Sequence, residues 1–256
     1  MLLALDVGNS NITIGVFDGT KLVRHWRLRT VHEQTSDEWG ILLRNLFDVG
    51  ELDLDLVHGI IVASVVPPLD STLASMSRQY FDRDALFVTC DTDTGLTILY
   101  DNPREVGADR IVNSVAALHK YGGPCVIVDL GTAITFDAVS EKHEYIGGLI
   151  CPGIGMSVQG LFTKTARLPL VDFLEPGSVI GTNTVSSMQS GLYYGAIGMI
   201  DGIIERLTRE LGAGTKAIAT GGQAELIIRG SRFLRQVDPD ITLEGLQLIW
   251  QRNQKH

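Results

Sequence analysis

The chain has 256 residues, 45% of them apolar, and a formal net charge of −9. That length and apolar content fit one large domain or two small ones with ample core, and exclude a disordered chain. The negative balance argues against a general nucleic-acid binder, which neutralises phosphates with a basic face. A local anion site built from backbone N–H groups and one or two cations stays compatible with it. No window approaches the roughly 18 apolar residues of a membrane span, and no basic segment leads into a long apolar one. The reading is a cytoplasmic protein with no membrane or nucleic-acid partner. Cys90, Cys125 and Cys151 are far apart and lack zinc spacing, so they are expected to be buried free thiols.

Leu2 to Asp6 predicts a buried strand, Ile12 to Phe17 a second, and Leu22 to Arg29 an alternating third, with Asp18-Gly19 as a hairpin turn. These three form an antiparallel meander. Thr35-Ser36-Asp37-Glu38 is a capping-box start, and Trp39, Leu42, Leu43, Leu46 and Phe47 place one apolar stripe on the helix behind it. Gly59 to Val66 is an apolar strand stopped by Pro67-Pro68. A helix near 70–81 and a short strand at 85–88 follow. The stretch 108–121 is a helix that leads into the second half.

The second half echoes the first. Residues 126–139, VIVDLGTAITFDAV, match residues 2–17, LLALDVGNSNITIGVF, so that Asp129, Gly131 and Thr132 answer Asp6, Gly8 and Asn9. Residues 217–227 echo 60–70 as strand, small residues, turn and helix. Two matches in one order indicate a duplicated domain, with expected boundaries 1–115 and 116–256. A long helix near 186–211 carries Gly191, Gly195, Gly198 and Gly202. That spacing allows close approach of another helix, within the chain or across a subunit interface.

Four stretches carry chemistry. The turn after Asp6, with Gly8, Asn9, Ser10 and Asn11, can point backbone N–H groups at one anion. Asp6 can hold Mg²⁺ through waters, and the metal can bridge phosphate oxygens. The alternative is a hairpin with a locally bonded aspartate, which the second copy at Asp129–Thr132 disfavours. Two such loops facing each other make a cleft for a nucleotide's phosphates. GxxxxGK[ST] and GxGxxG signatures do not occur, so neither a P-loop nor a dinucleotide-binding domain is expected. In 219–225, ATGGQAE, the paired glycines allow a base or ribose to lie on the backbone, or serve an ordinary strand-to-helix turn. In 145–157, Gly147-Gly148 and Pro152-Gly153 precede a helix and either line an acceptor pocket or only turn the chain.

Gly107-Ala108-Asp109-Arg110 opens the 108–121 helix. It is either a capped helix start with a surface arginine or a carboxylate–guanidinium pair facing a substrate. In the second reading Asp109 accepts a proton from a hydroxyl. Its position at a helix N-terminus predicts a lowered pKa and a weak base, which phosphoryl transfer tolerates.

Taken together, DVGNSN (6–11), NPREVGADRIVN (102–113), VDLGTAITFD (128–137), GGLICPGIGMS (147–157), TARLP (165–169), GTNTVSSMQSGLYYG (181–195) and ATGGQAE (219–225) resemble the type III pantothenate kinases. These belong to the superfamily of sugar and acetate kinases, actin and heat-shock chaperone ATPases. The stretches span essentially the whole chain in the family's order. The resemblance implies an α/β fold of duplicated actin-like (ribonuclease H-like) domains, with mixed sheets flanked by helices and a nucleotide cleft between them. It implies a homodimer that uses ATP and Mg²⁺ to phosphorylate pantothenate to 4'-phosphopantothenate, the first step of coenzyme A synthesis. By motif, Asp6, Val7, Gly8, Asn9, Ser10, Asn11, Ile12, Thr13 and Thr132 would hold ATP. Asp109 would be the general base. Tyr100, Gly107, Ala108, Asp109, Arg110 and Thr184 would bind pantothenate, Thr184 across the dimer interface. Asp129 would bind a monovalent cation, K⁺ or NH4⁺. Ser10 stands where the family commonly has threonine and keeps the hydroxyl. Two alternatives remain: an accessory regulator of transcription acting through protein contacts, and a related kinase with a different acceptor.

Overall fold

The computed structural model describes residues 1–254, which divide into two compact units. The first comprises residues 1–96, 100–116 and 241–254; the second comprises 97–99 and 117–240.

In the first unit, β1 (Leu2–Val7), β2 (Asn11–Asp18) and β3 (Lys21–Arg29) form the expected meander. Helix α1 (Ser36–Val49) then begins with the capping box read from the sequence. The Glu38 N–H donates to Thr35 Oγ1 at 3.3 Å, and the Thr35 N–H donates to the Glu38 carboxylate at 2.7 Å. Strand β4 (Gly59–Ser64) pairs in parallel with β1, placing Val7 beside Ser64. Pro67 and Pro68 do more than stop this strand. They open α2 (Pro67–Phe81), where a missing N–H costs no helical hydrogen bond. After β5 (Ala85–Phe87) the sheet order is β3-β2-β1-β4-β5. One sheet face, with Leu3, Leu5, Val7, Ile12 and Ile14, packs with Trp39, Leu43 and Phe47 of α1 and Leu69 and Leu73 of α2.

Strand β6 (Thr97–Ile98) belongs to the second unit, and α3 (Ala108–Tyr121) has the bounds the sequence predicts. There follow β7 (Cys125–Leu130), β8 (Ala133–Val139), β9 (Glu144–Pro152), α4 (Ile154–Lys164), α5 (Thr184–Leu211), β10 (Lys216–Thr220), α6 (Ala224–Ile227) and β11 (Gln236–Val237). The sheet order is β11-β10-β7-β8-β9-β6. Read from the other end, β9-β8-β7-β10-β11 repeats β3-β2-β1-β4-β5 with the same parallel and antiparallel pairings. The duplication inferred from two short sequence echoes therefore extends to five strands of each sheet.

The last helix, α7 (Ile241–Asn253), returns to the first unit and packs on β1, β2 and β4. The sequence boundary at 115/116 lies one residue from the point in α3 where the chain changes unit, but a single boundary does not convey this return. The approach is close: a Cβ at Gly59 would lie 2.0 Å from the Trp250 ring, and one at Gly245 would lie 2.3 Å from the Val112 carbonyl. Thr242 Oγ1 donates to Asn113 Oδ1 at 2.7 Å.

All three cysteines are free, and of them only Cys125 is fully buried; Cys90 and Cys151 are partly exposed, contrary to expectation. Burial pushes the Cys125 thiol up to about 12, which leaves it unreactive.

Candidate active site

The carboxyl ends of parallel strands are where open α/β sheets collect ligands, because the turns there direct backbone N–H groups outward. In the first unit β1 and β4 end side by side, and the Val65 N–H donates to the Val7 carbonyl at 3.0 Å. Asp6 lies one residue before that end, partly buried, opposite Thr13 on β2 and Ala63 on β4. The turn from Gly8 to Asn11 follows at once. The Gly8 N–H donates to the Asn11 carbonyl at 3.0 Å, and Asn9 and Ser10 are exposed at the tip. Val7 and Ile12 are buried below it, so the turn presents the exposed Asn9 and Ser10 to solvent.

The Gly107–Arg110 stretch lies at the same end of this sheet. A Cβ on Gly107 would stand 2.5 Å from Asp109 Oδ1 and 3.4 Å from Val65 Cγ1. A side chain at 107 would crowd the Asp109 carboxylate, and glycine leaves it room. Asp109 Oδ1 also accepts the Arg110 N–H at 2.8 Å. Arg110 is buried, not the surface arginine of the simpler reading, and a guanidinium in that setting requires compensation by neighbouring polar groups.

Burial pushes the Asp109 carboxyl above the ordinary aspartate value, while the Arg110 N–H and guanidinium pull it down. The expected lowering is therefore corrected: desolvation outweighs the backbone N–H groups and the Arg110 charge that favour the carboxylate. The result is a better base than position on the helix alone indicates.

The second unit holds the matching turn. Asp129 comes one residue before the end of β7, beside Thr220 of β10 and opposite Thr135 of β8. The turn is one residue shorter than the first: three residues separate Leu130 from Ile134, against four between Val7 and Ile12. Thr132 is exposed in it. Gly221, at φ +91°, sits so close that a Cβ would lie 2.7 Å from Asp129 Oδ1 and from the Leu130 backbone. That packing accounts for the first glycine of ATGGQAE without a base or ribose. Gly153 abuts the turn from the other side, where a Cβ would lie 1.9 Å from the Thr132 carbonyl.

The structure thus brings Asp6, the Gly8–Asn11 turn and Gly107–Asp109 to one end of the first sheet, and Asp129 and Thr132 to the matching end of the second. Tyr100 is a partly buried residue of the first unit. Thr184 is the exposed first residue of α5, behind an Asn183 cap, and belongs to neither turn. Sequence reasoning missed Thr30, which donates through Oγ1 to the Gly8 carbonyl at 2.6 Å. A polar residue just past an alternating strand was the only signal for it.

Among the described residues no group of three or more His, Cys, Asp or Glu could hold a metal by itself. A lone carboxylate such as Asp6 still fits Mg²⁺, which commonly takes one or two carboxylates and completes its shell with phosphate oxygens and water.

Comparison with known proteins gives the family and the fold. The family model for type III pantothenate kinase matches residues 2–206. A protein of that name from Solibacter usitatus is 66% identical over 99% of this chain and 97% of its own length. One from Koribacter versatilis is 55% identical over 100% of this chain and 97% of its own. Among solved structures, a Baf family protein from Campylobacter jejuni aligns over 99% of this chain and 100% of its own, with TM-score 0.61 and 18% identity. The ethanolamine utilization protein EutJ from Carboxydothermus hydrogenoformans aligns over 96% and 89%, with TM-score 0.52 and 15% identity. The fold is the duplicated actin-like α/β fold. On the family match and on identity along nearly its whole length, the chain belongs to the type III pantothenate kinase family.

Proposed function

We propose that the protein transfers the γ-phosphoryl group of ATP to the primary hydroxyl of pantothenate, giving 4'-phosphopantothenate for coenzyme A synthesis. The observation that carries this reading is the partly buried Asp109 carboxylate, folded over Gly107 at the same sheet end as the Asp6–Asn11 turn. Family membership supplies the acceptor.

The backbone of Gly8 to Asn11, with Asp6, Val7, Ile12 and Thr13 framing it, meets the phosphates of ATP, and Thr132 adds a hydroxyl from the second turn. Bound Mg²⁺ near Asp6 would neutralise phosphate charge. Asp109 orients the pantothenate hydroxyl and takes its proton. Its raised pKa suits that role, and the loose transition state of phosphoryl transfer asks mainly for positioning and charge neutralisation. Tyr100, Gly107, Ala108 and Arg110 hold pantothenate. Asp129 offers an oxygen ligand for K⁺ or NH4⁺.

A homodimer completes the proposal, with Thr184 serving pantothenate across the interface. Supporting it, a Cβ on Gly191, Gly195 or Gly198 of α5 would meet nothing within 4 Å, and Val185 and Tyr194 on the same helix are exposed. Sedimentation at micromolar concentration is expected to give twice the chain mass; a monomer there rejects the dimer. The function is tested by incubating protein, ATP, Mg²⁺, K⁺ and pantothenate and weighing the product. One added phosphoryl group on pantothenate is expected, and unmodified pantothenate rejects the reading. No described helix is long and apolar enough to cross a membrane.

A further inference from the structure

We propose that Thr30 is a positioning residue that sets the outward direction of the N–H groups in the Gly8–Asn11 turn. The proposal rests on the reading of that turn as the triphosphate cradle.

Thr30 follows β3 directly and is 8% exposed. It grips the turn at two points. Its hydroxyl donates to the Gly8 carbonyl at 2.6 Å, and its backbone N–H donates to the Ser10 carbonyl at 3.1 Å. A trans peptide unit is planar, and its C=O and N–H point in opposite directions. Turning the Gly8 carbonyl toward Thr30 therefore turns the Asn9 N–H away from it. Turning the Ser10 carbonyl toward Thr30 does the same for the Asn11 N–H. One residue thus aims two N–H groups of the turn to the side opposite β3. It also occupies two carbonyl oxygens that would repel an anion if they rotated outward.

The second unit uses the corresponding position in the same place. Arg29 pairs with Asn11, and Pro152 pairs with Ala133, so the residue after the third strand is Thr30 in one unit and Gly153 in the other. Gly153 presses on carbonyls too, since a Cβ there would lie 1.9 Å from the Thr132 oxygen and 2.9 Å from the Gly131 oxygen. In both copies this position lies against the carbonyls of the turn. Only the first copy does so with a side-chain donor that a substitution can remove.

Thr30→Val keeps the shape and the backbone N–H and removes the hydroxyl; Thr30→Ser keeps the hydroxyl. The test is equilibrium titration of the full chain with Mg²⁺ and β,γ-imido-ATP, and separately with adenosine, which carries no phosphate. Thr30→Val is expected to weaken the triphosphate about tenfold, the scale of one lost hydrogen bond and a loosened turn, and to leave adenosine within about twofold. Thr30→Ser is expected to stay within about threefold for both. If Thr30→Val does not fold, Thr30→Ala replaces it with the same expectations. Unchanged triphosphate binding in the hydroxyl-free variant overturns the clamp alone, as does an equal loss for adenosine. If the unsubstituted protein binds adenosine but gains nothing from the triphosphate, the phosphate reading of the turn falls, and the clamp with it.

Discussion

As the proposed base, Asp109 faces two demands that conflict. A base must be able to ionise, and burial makes ionisation costly. Asp109→Asn is expected to lower kcat by about 10²–10⁴ with a smaller change in KM, measured with pantothenate as acceptor. The same substitution tests the electrostatics. The folded protein holds the Asp109 proton to a higher pH than the unfolded chain does, so the stability this group contributes is greatest in acid. That contribution falls as pH rises from the ordinary aspartate value through the raised one. At neutral pH the ionised carboxylate is a cost that asparagine removes. Asp109→Asn should therefore melt higher than the parent near pH 7, with the gain shrinking on acidification; a lower melting temperature near pH 7 contradicts the raised pKa. The acid limb of kcat/KM should likewise lie above the ordinary aspartate value. The sequence made Asp109 visible through the GADR stretch, but not the direction of its pKa. That depends on how closely the folded chain around it excludes water, which no local pattern encodes. At Asp129, removal of K⁺ should lower turnover, and Asp129→Asn should abolish the response; equal activation by Na⁺ would contradict a selective cation site.

Elements with a continuous apolar run or one apolar face were legible, and elements with neither were not. The meander of β1 to β3, the stripe of α1 and the bounds of α3 follow from alternation, a capping box and helical spacing. The prolines at 67 and 68 were read as a stop when they are also a start, because proline ends a strand and opens a helix for the same reason, its missing N–H. Helix α7 was not foreseen. Its apolar residues at 241, 243, 246, 248, 249 and 250 define no single stripe, since Ile241, Leu243, Leu246 and Ile249 are buried while Trp250 also reaches Gly59. The two-residue strands β6 and β11 are too short to carry a pattern. Helix α7 now gives a direct test of packing. Gly245→Ala forces a methyl group against the Val112 carbonyl and should cost about 1–3 kcal/mol, read as a lower midpoint in urea with an unchanged slope. An unchanged midpoint would mean that α7 does not sit tightly on α3.

At the scale of the whole molecule five strands of each sheet share one order, and β1 and β7 each end in aspartate and one further residue, with glycine opening the turn. The sequence revealed this through two short echoes, at 6–9 with 129–132 and at 60–70 with 217–227. It did not reveal that the chain re-enters the first unit at Ile241, because nothing local at Asp240 marks a change of unit. Nor does the sheet topology select an acceptor, since one fold hosts many substrates; the choice of pantothenate rests on family membership. The most direct test is therefore steady-state ADP release by the purified protein with ATP, Mg²⁺ and K⁺, with and without pantothenate. Turnover that requires pantothenate and saturates with it is the expected result. ADP release indifferent to pantothenate, or none from folded protein that binds nucleotide, would contradict the account.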